Sequence, residues 1–424
     1  MYRKQMNGNK FKNIHDQNLA HELTLSPAGK PEQNSDRKII LYNGYVYSPW
    51  ESIYGGVVIS AGIISSVFEG ELPDKLTRNT AKIIDCKGNK ILPGFIDLHL
   101  HGAKGFDFTL AAEQEISRAV HYHAAKGGTT ALVPTIVSAP LSQIKQAAER
   151  IRRVRAKSCK PQILGVHLEG PFLNPLYKGA HSEEYLQHPR QEIVEDLAGS
   201  IGEDLAIVTL SPELPHALEA IAYLSRQGIV AALGHSGATV EEVQGAVDCG
   251  LRHAVHTYSA MRRFHHRSPG ALGAVLTIDN ISAEIIADGI HSEPAAVKLF
   301  FRAKPAGKTV LVTDALAVCG LPDRECKLGD KTIISKGGKA LLQDGTLAGS
   351  ILTMNRALEG AVKMTELGLT DVLPAATINP ARTLGLTERK GSLEAGKDAD
   401  ITVLDADYNA LLTVCRGNPV IPPQ

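Results

Sequence analysis

No run of this 424-residue chain approaches the roughly 18 consecutive apolar residues that a helix needs to cross a bilayer, so no membrane partner is expected. Charge of one sign is missing as well. Lys plus Arg and Asp plus Glu each number 45, leaving a formal net charge of zero. That balance disfavours a general nucleic-acid or membrane-surface binder. Cysteine is sparse: the six residues are scattered with no Cys-x-x-Cys pair, which points to free thiols of a cytoplasmic protein rather than a disulfide frame. The N-terminus shows no apolar signal-peptide core. No Gly-x-Gly-x-x-Gly turn follows the first strong strand, so a doubly wound open sheet lacks its usual support.

What is present is a 43% hydrophobic chain with 16 histidines, long enough for one large domain and a smaller companion. Residues 1–36 are polar and without periodicity and read as a disordered leader. Short strands with Asn-Gly and Ala-Gly turns follow Arg37. They predict a small β-sandwich domain from residues 37–92 that the β-like tail, residues 387–424, completes. Between them, over residues 93–386, strands alternate with helical stretches. Strand-like runs open at Ile91, Thr129, Gln162, Leu205, Ile229, His253, Ser282 and Thr309. Eight such units predict an α/β fold, a (β/α)₈ TIM-like barrel.

The run Asp97-Leu-His-Leu-His-Gly ends the opening strand. Strand side chains alternate, so His99 and His101 share a face. Glu169, His235, His256 and Asp314 also stand at strand ends. Their spacings correspond to about two, two, one and two of the roughly 30-residue units of a typical barrel. That places all of them at the rim where such barrels carry active sites. Nitrogen and carboxylate donors without thiolate suit a divalent metal, Zn or Fe, with Co or Mn as alternatives, and one or two ions. Asp314 is read as a general acid/base beside metal-activated water. His121 and His123 form a second His-x-His, but in a helical stretch where i and i+2 diverge, and are read as solvated or interhelical. His167 shares the Glu169 face and is read as support for Glu169 or for substrate. Cys319 and Cys326 bracket a loop after Asp314; the Gly127-Gly128 and Gly337-Gly338 doublets read as turns.

The Pro93-Gly-Phe-Ile-Asp-Leu-His-Leu-His-Gly run and the Asp398-Ala-Asp-Ile strand resemble the amidohydrolase superfamily. More narrowly, His167-Leu-Glu-Gly-Pro-Phe-Leu-Asn-Pro, Lys178-Gly-Ala-His, Gly234-His-Ser, Phe264-His-His-Arg-Ser-Pro-Gly, Ala287-Asp-Gly-Ile-His and Thr313-Asp-Ala resemble the N-acetylglucosamine-6-phosphate deacetylase family. The resemblance implies hydrolysis of a phosphorylated N-acetylamino sugar to acetate and the amino sugar phosphate. It implies that Glu169, His235 and His256 hold the main metal, and that His99 and His101 belong to a variant able to hold a second. It further implies that Ala180, His181, Ser259, Ala260 and His291 contact substrate, that Arg267 meets the phosphate, and that the protein is a homodimer. One departure stands out: Ser259 replaces the usual Asn after the sixth strand, a shorter side chain with one donor hydrogen in place of two. An N-acetylgalactosamine-6-phosphate deacetylase shares every chemical residue. A cyclic-amide hydrolase is less favoured, because no lysine ends the fourth strand. A non-catalytic scaffold is disfavoured because no ligand or base is missing.

Overall fold

The computed structural model describes residues 38–48, 51–77, 82–157 and 161–420; the leader read over residues 1–36 lies outside them. Eight parallel strands form the centre: β1 Phe95–Leu100, β2 Thr129–Val137, β3 Val166–Glu169, β4 Leu205–Leu210, β5 Val230–Leu233, β6 His253–Ala254, β7 Ser282–Ile285 and β8 Thr309–Leu311. Each pairs with the next in chain order. This is the expected α/β barrel. Its seam, between β8 and β1, is closed just beyond the strands: Asp314 N–H donates to His99 O at 2.8 Å and His101 N–H to Ala315 O at 2.8 Å. The Thr313 hydroxyl donates to buried Asp97 at 2.6 Å.

Nine consecutive residues of β2 are buried, as befits a strand covered on both faces. Pro134 interrupts its ladder by lacking an N–H. The β1–β2 pairing shifts register between Asp97 and Leu100, and the Leu100 N–H turns to the Thr135 hydroxyl at 3.2 Å. Small and branched residues from almost every strand, among them Ile96, Val133, Ile207, Ala232, Val255 and Val310, pack as one cluster. The main apolar cluster joins the strands to the outer helices. Helix α1, Glu113–Gly127, lays Ile116, Ala119, Val120 and Ala124 inward and ends at Gly128, whose φ of 72° is the left-handed cap glycine favours.

The chain ends interleave. Strand Ile39–Tyr47 pairs with Ser52–Ser60 on one side, and with Lys82–Asp85 and Lys90–Pro93 on the other. Ile401–Leu404 then pairs antiparallel with Lys90–Pro93, and Ala410–Cys415 with Ile401–Leu404. The result is one eight-stranded sheet that branches at Ile39–Tyr47. The loop that Cys319 and Cys326 bracket runs into a four-stranded antiparallel sheet not expected from the sequence: Glu325–Leu328, Lys331–Lys336, Lys339–Leu341 and Leu347–Gly349. Gly337-Gly338 is the turn between its second and third strands, and Cys326 lies inside the first. Among the described residues no helix is long and apolar enough to cross a membrane, and none of the five described cysteines is in a disulfide.

Candidate active site

Glu169 is the last residue of β3, His101 follows β1, and His235, His256 and Asp314 come two or three residues after β5, β6 and β8. Three of them sit on unusual backbone, with φ of 50° at His235, 25° at His256 and 49° at Asp314. Left-handed conformations in residues with a Cβ cost on the order of 1–3 kcal/mol and persist where the surroundings over-determine them. Here the rim does so. Ser236 N–H donates to Ala260 O at 3.0 Å, His256 N–H to Glu284 at 3.1 Å, and Asp314 N–H to His99 O.

The side chains converge on Glu169. Its Oε1 lies 2.8 Å from His256 Nε2, 3.0 Å from His235 Nε2 and 3.4 Å from His99 Nε2. Its Oε2 lies 3.2 Å from His181 Nε2 and 3.3 Å from His101 Nε2. Asp314 Oδ1 is 3.1 Å from His101 Nε2 and 3.8 Å from His99 Nε2. All are buried. Burial would lift both carboxyls; the His99 charge and the hydrogen bonds from His181, His235 and His256 hold Glu169 well below the usual range, and the His101 bond with the His99 charge holds Asp314 below it.

The proton inventory shows what this arrangement wants. His235 Nδ1 lies 2.9 Å from the Tyr177 carbonyl, which only accepts, so the ring's proton belongs on Nδ1. His99 Nδ1 lies 2.9 Å from Glu284 Oε2, which also only accepts. Without the second proton that the flanking carboxylates favour on His99, the Nε2 lone pairs of both rings point at a carboxylate, and His99 Nε2 has no hydrogen-bond partner. Lone pairs facing carboxylate oxygens repel unless a cation lies among them, and a divalent metal satisfies every donor at once.

A cavity of about 410 Å³ opens above this cluster. Ala180, His181, Ser259, Ala260 and His291 line it together with His101, Glu169, His235, His256 and Asp314; His99 lies beneath, fully buried. His291 Nδ1 is fixed by Asp288 Oδ2 at 2.7 Å, and that bond raises its pKa although burial opposes it. Arg267 is not brought to the cavity. It is on the exposed stretch after the sixth strand, with its guanidinium 3.0 Å from His266 Nε2. His167 supports neither Glu169 nor substrate, because its nitrogens meet Thr135 at 3.2 Å and Thr209 at 2.7 Å. His123 is neither solvated nor interhelical: it is buried and bonded to Gly102 O at 3.0 Å. A larger cavity, about 630 Å³, opens at the opposite strand ends around Arg252, Lys308 and Arg382 and contains none of these groups.

Residues 91–420 match the sequence profile of the Amidohydrolase family. The chain is 36% identical over 368 residues to the N-acetylglucosamine-6-phosphate deacetylase of Bacillus subtilis (strain 168), covering 86% of this chain and 92% of that one. It is 35% identical over 349 residues to an N-acetylgalactosamine-6-phosphate deacetylase of Escherichia coli O157:H7, covering 82% and 90%. It is structurally similar to the Mycobacterium smegmatis N-acetyl-D-glucosamine-6-phosphate deacetylase, solved as a point mutant in complex with N-acetyl-D-glucosamine-6-phosphate. That similarity has a TM-score of 0.84 and 31% identity, covering 92% of this chain and 100% of that one. The chain belongs to the amidohydrolase family, in its N-acetylglucosamine-6-phosphate deacetylase branch.

Amidohydrolases depend on metal, and three overlapping groups in this one place their donor atoms within 4.8 Å of one another: His99, His101 and Asp314; His99, Glu169 and His256; Glu169, His181 and His235. Part of the amidohydrolase cavity wall escaped sequence reading. Leu328 and Thr346–Gly349 of the four-stranded insertion line it, as do Leu176 and Tyr177. The clue lay in the β-branched Thr332-Ile-Ile run just before the Gly337-Gly338 turn. Glu284 and His253 also went unread, although a carboxylate between Ala283 and Ile285 is a signal that something pairs with it.

Proposed function

We propose that this enzyme hydrolyses the acetamide of N-acetylglucosamine 6-phosphate, releasing acetate and glucosamine 6-phosphate. The observation that carries the reading is the buried convergence of His99, His101, His235 and His256 on Glu169, with Asp314 beside them at the floor of an open cavity.

Glu169, His235 and His256 would hold the main ion, and His99, His101 and Asp314 surround room for a second; Zn or Fe suits this donor set, with Co or Mn as alternatives. A bound divalent ion supplies a Lewis acid for the carbonyl and a water acidified towards a pKa of about 7. Asp314 takes the proton of the attacking water through its carboxylate. It then returns that proton to the amine nitrogen as the C–N bond breaks. His291, its Nδ1 held by Asp288, presents Nε2 to the amide carbonyl or sugar hydroxyls, and His181, also in the cavity lining, contacts the substrate beside Glu169. Ala180, Ser259 and Ala260 shape the sugar's bed. Arg267 is proposed to bind the phosphate with its fork of donors. Its distance from the cavity within one chain agrees with a homodimer in which subunits complete each other's phosphate site. That none of the described cysteines is in a disulfide supports a cytoplasmic setting.

The galactosamine epimer is a second reading, favoured by the Escherichia coli relative's name. A cyclic-amide hydrolase is disfavoured: β4 ends at Leu210, and no lysine lines the cavity among the described residues. Acetate release should be measured on the 6-phosphates of N-acetylglucosamine, N-acetylgalactosamine and N-acetylmannosamine, and on free N-acetylglucosamine. N-acetylglucosamine 6-phosphate should be the fastest substrate and the free sugar far slower. Equal rates with and without phosphate would remove the role of Arg267.

A further inference from the structure

Glu284 is a fully buried carboxylate in the middle of a short barrel strand, flanked by apolar Ala283 and Ile285. An unpaired charge at such a place is strongly unfavourable, and three donors meet this one. Its Oε2 receives His99 Nδ1–H at 2.9 Å and the backbone N–H of His256 at 3.1 Å; its Oε1 receives His253 Nε2–H at 2.9 Å. Of the three rings packed against His99, those of His101 and His256 lie 5.3 Å away between centroids; that of His167, at 4.7 Å, gives no hydrogen bond, since both its nitrogens are engaged by threonines. Among the described residues, Glu284 is therefore what fixes the tautomer of His99.

We propose that Glu284 is a positioning residue for a second metal ion. By accepting the Nδ1 proton it directs the His99 Nε2 lone pair to the place between Glu169 Oε1, 3.4 Å away, and Asp314 Oδ1, 3.8 Å away. A carboxylate behind a ligand histidine both orients the ring and raises its basicity. The same carboxylate holds the His256 backbone at its left-handed turn, so one buried charge serves two of the imidazoles that approach Glu169 Oε1. The inference rests on the metal-dependent reading above and deepens it.

The test is zinc binding to the full chain, stripped with chelator and reloaded, read as elemental stoichiometry and by competitive chelator titration. Glu284→Gln presents an amide N–H₂ where one of the donors now points. It should keep the tighter ion and weaken the second by about 10–100-fold, the usual cost of losing a partner behind a ligand. Combined with His99→Gln it should lose no more than His99→Gln alone. His253→Gln removes the other imidazole on Glu284 without touching His99 and should leave the second ion's affinity as in the parent. Glu284→Asp, which keeps the charge but retracts it, is the companion variant if the amide does not fold, and should also weaken the second ion. The proposal is overturned if the parent holds a single ion, if Glu284→Gln holds two as tightly as the parent, or if His253→Gln weakens the second equally. Acetate release by the parent separates the two claims: its loss sinks the deacetylase reading, whereas its persistence with unchanged ion binding in the variants sinks only this one.

Discussion

Asp314 meets two demands with one carboxylate. Its Oδ1 stands 3.1 Å from His101 Nε2 and 3.8 Å from His99 Nε2, close enough to serve as a metal ligand. Its wall position in the cavity, with His291 also lining it, is that of a group meeting water and substrate. The two roles differ in what a neutral isostere preserves. Asp314→Asn should retain metal, measured by elemental analysis, while kcat falls by about 10²–10⁴-fold, the usual worth of a positioned acid/base. Loss of metal with unchanged geometry would make Asp314 a ligand first. The three left-handed backbones at His235, His256 and Asp314 carry a related lesson. The residue types suit the chemistry, and the surrounding hydrogen bonds, not the residues' own preferences, hold them in place.

At the scale of elements, the insertion after β8 is joined to catalysis by main chain. A Cβ on Gly349 would lie 2.9 Å from the Asp314 carbonyl oxygen and 2.7 Å from Leu316 Cδ2, and that carbonyl receives the Ser350 N–H at 2.8 Å. Gly349→Ala must therefore shift the loop that presents Asp314. Its kcat should fall on the order of 10–100-fold, as for an ångström-scale misplacement of a catalytic group, with metal content unchanged. Helix α1 offers a different test. Burial lowers the pKa of His123 to about 4, against about 6.5 for a free histidine. Between those values the unfolded chain takes a proton that the native imidazole refuses, so stability falls as pH drops through this window, by on the order of 3 kcal/mol. His123→Gln, able to donate to the same Gly102 carbonyl, should show a shallower decline of Tm between pH 6.5 and 4 than the parent.

Across the whole molecule, the proposed ligands come from five of the eight strands or their ends, so a bound ion ties the barrel across its diameter as well as serving chemistry. A ligand that binds only the native state at 100 times its Kd adds about 2.7 kcal/mol. Chelator treatment should therefore lower Tm by several degrees and zinc should restore it; an unchanged Tm would mean that no ion is held by this cluster. The seam places the same dependence at one edge. β1 and β8 meet through Asp97, Thr313 and the rim backbone bonds of His99 and Asp314, so the carboxylate proposed as acid/base belongs to the closure of the barrel.

The order of strands, their parallel sense and the placement of His99, His101, Glu169, His235, His256 and Asp314 were all legible in the sequence. Local patterning marks where an apolar strand ends, and a barrel carries its chemistry at those ends. Tertiary structure alone decided the rest. Glu284 and His253 gain meaning only when β6 and β7 lie side by side behind His99. The insertion becomes a cavity wall only once it folds back over Asp314, and Arg267 stands away from the cavity of its own chain. Each of these depends on which distant segments closure of the barrel makes neighbours, and period and spacing along a chain carry no record of that.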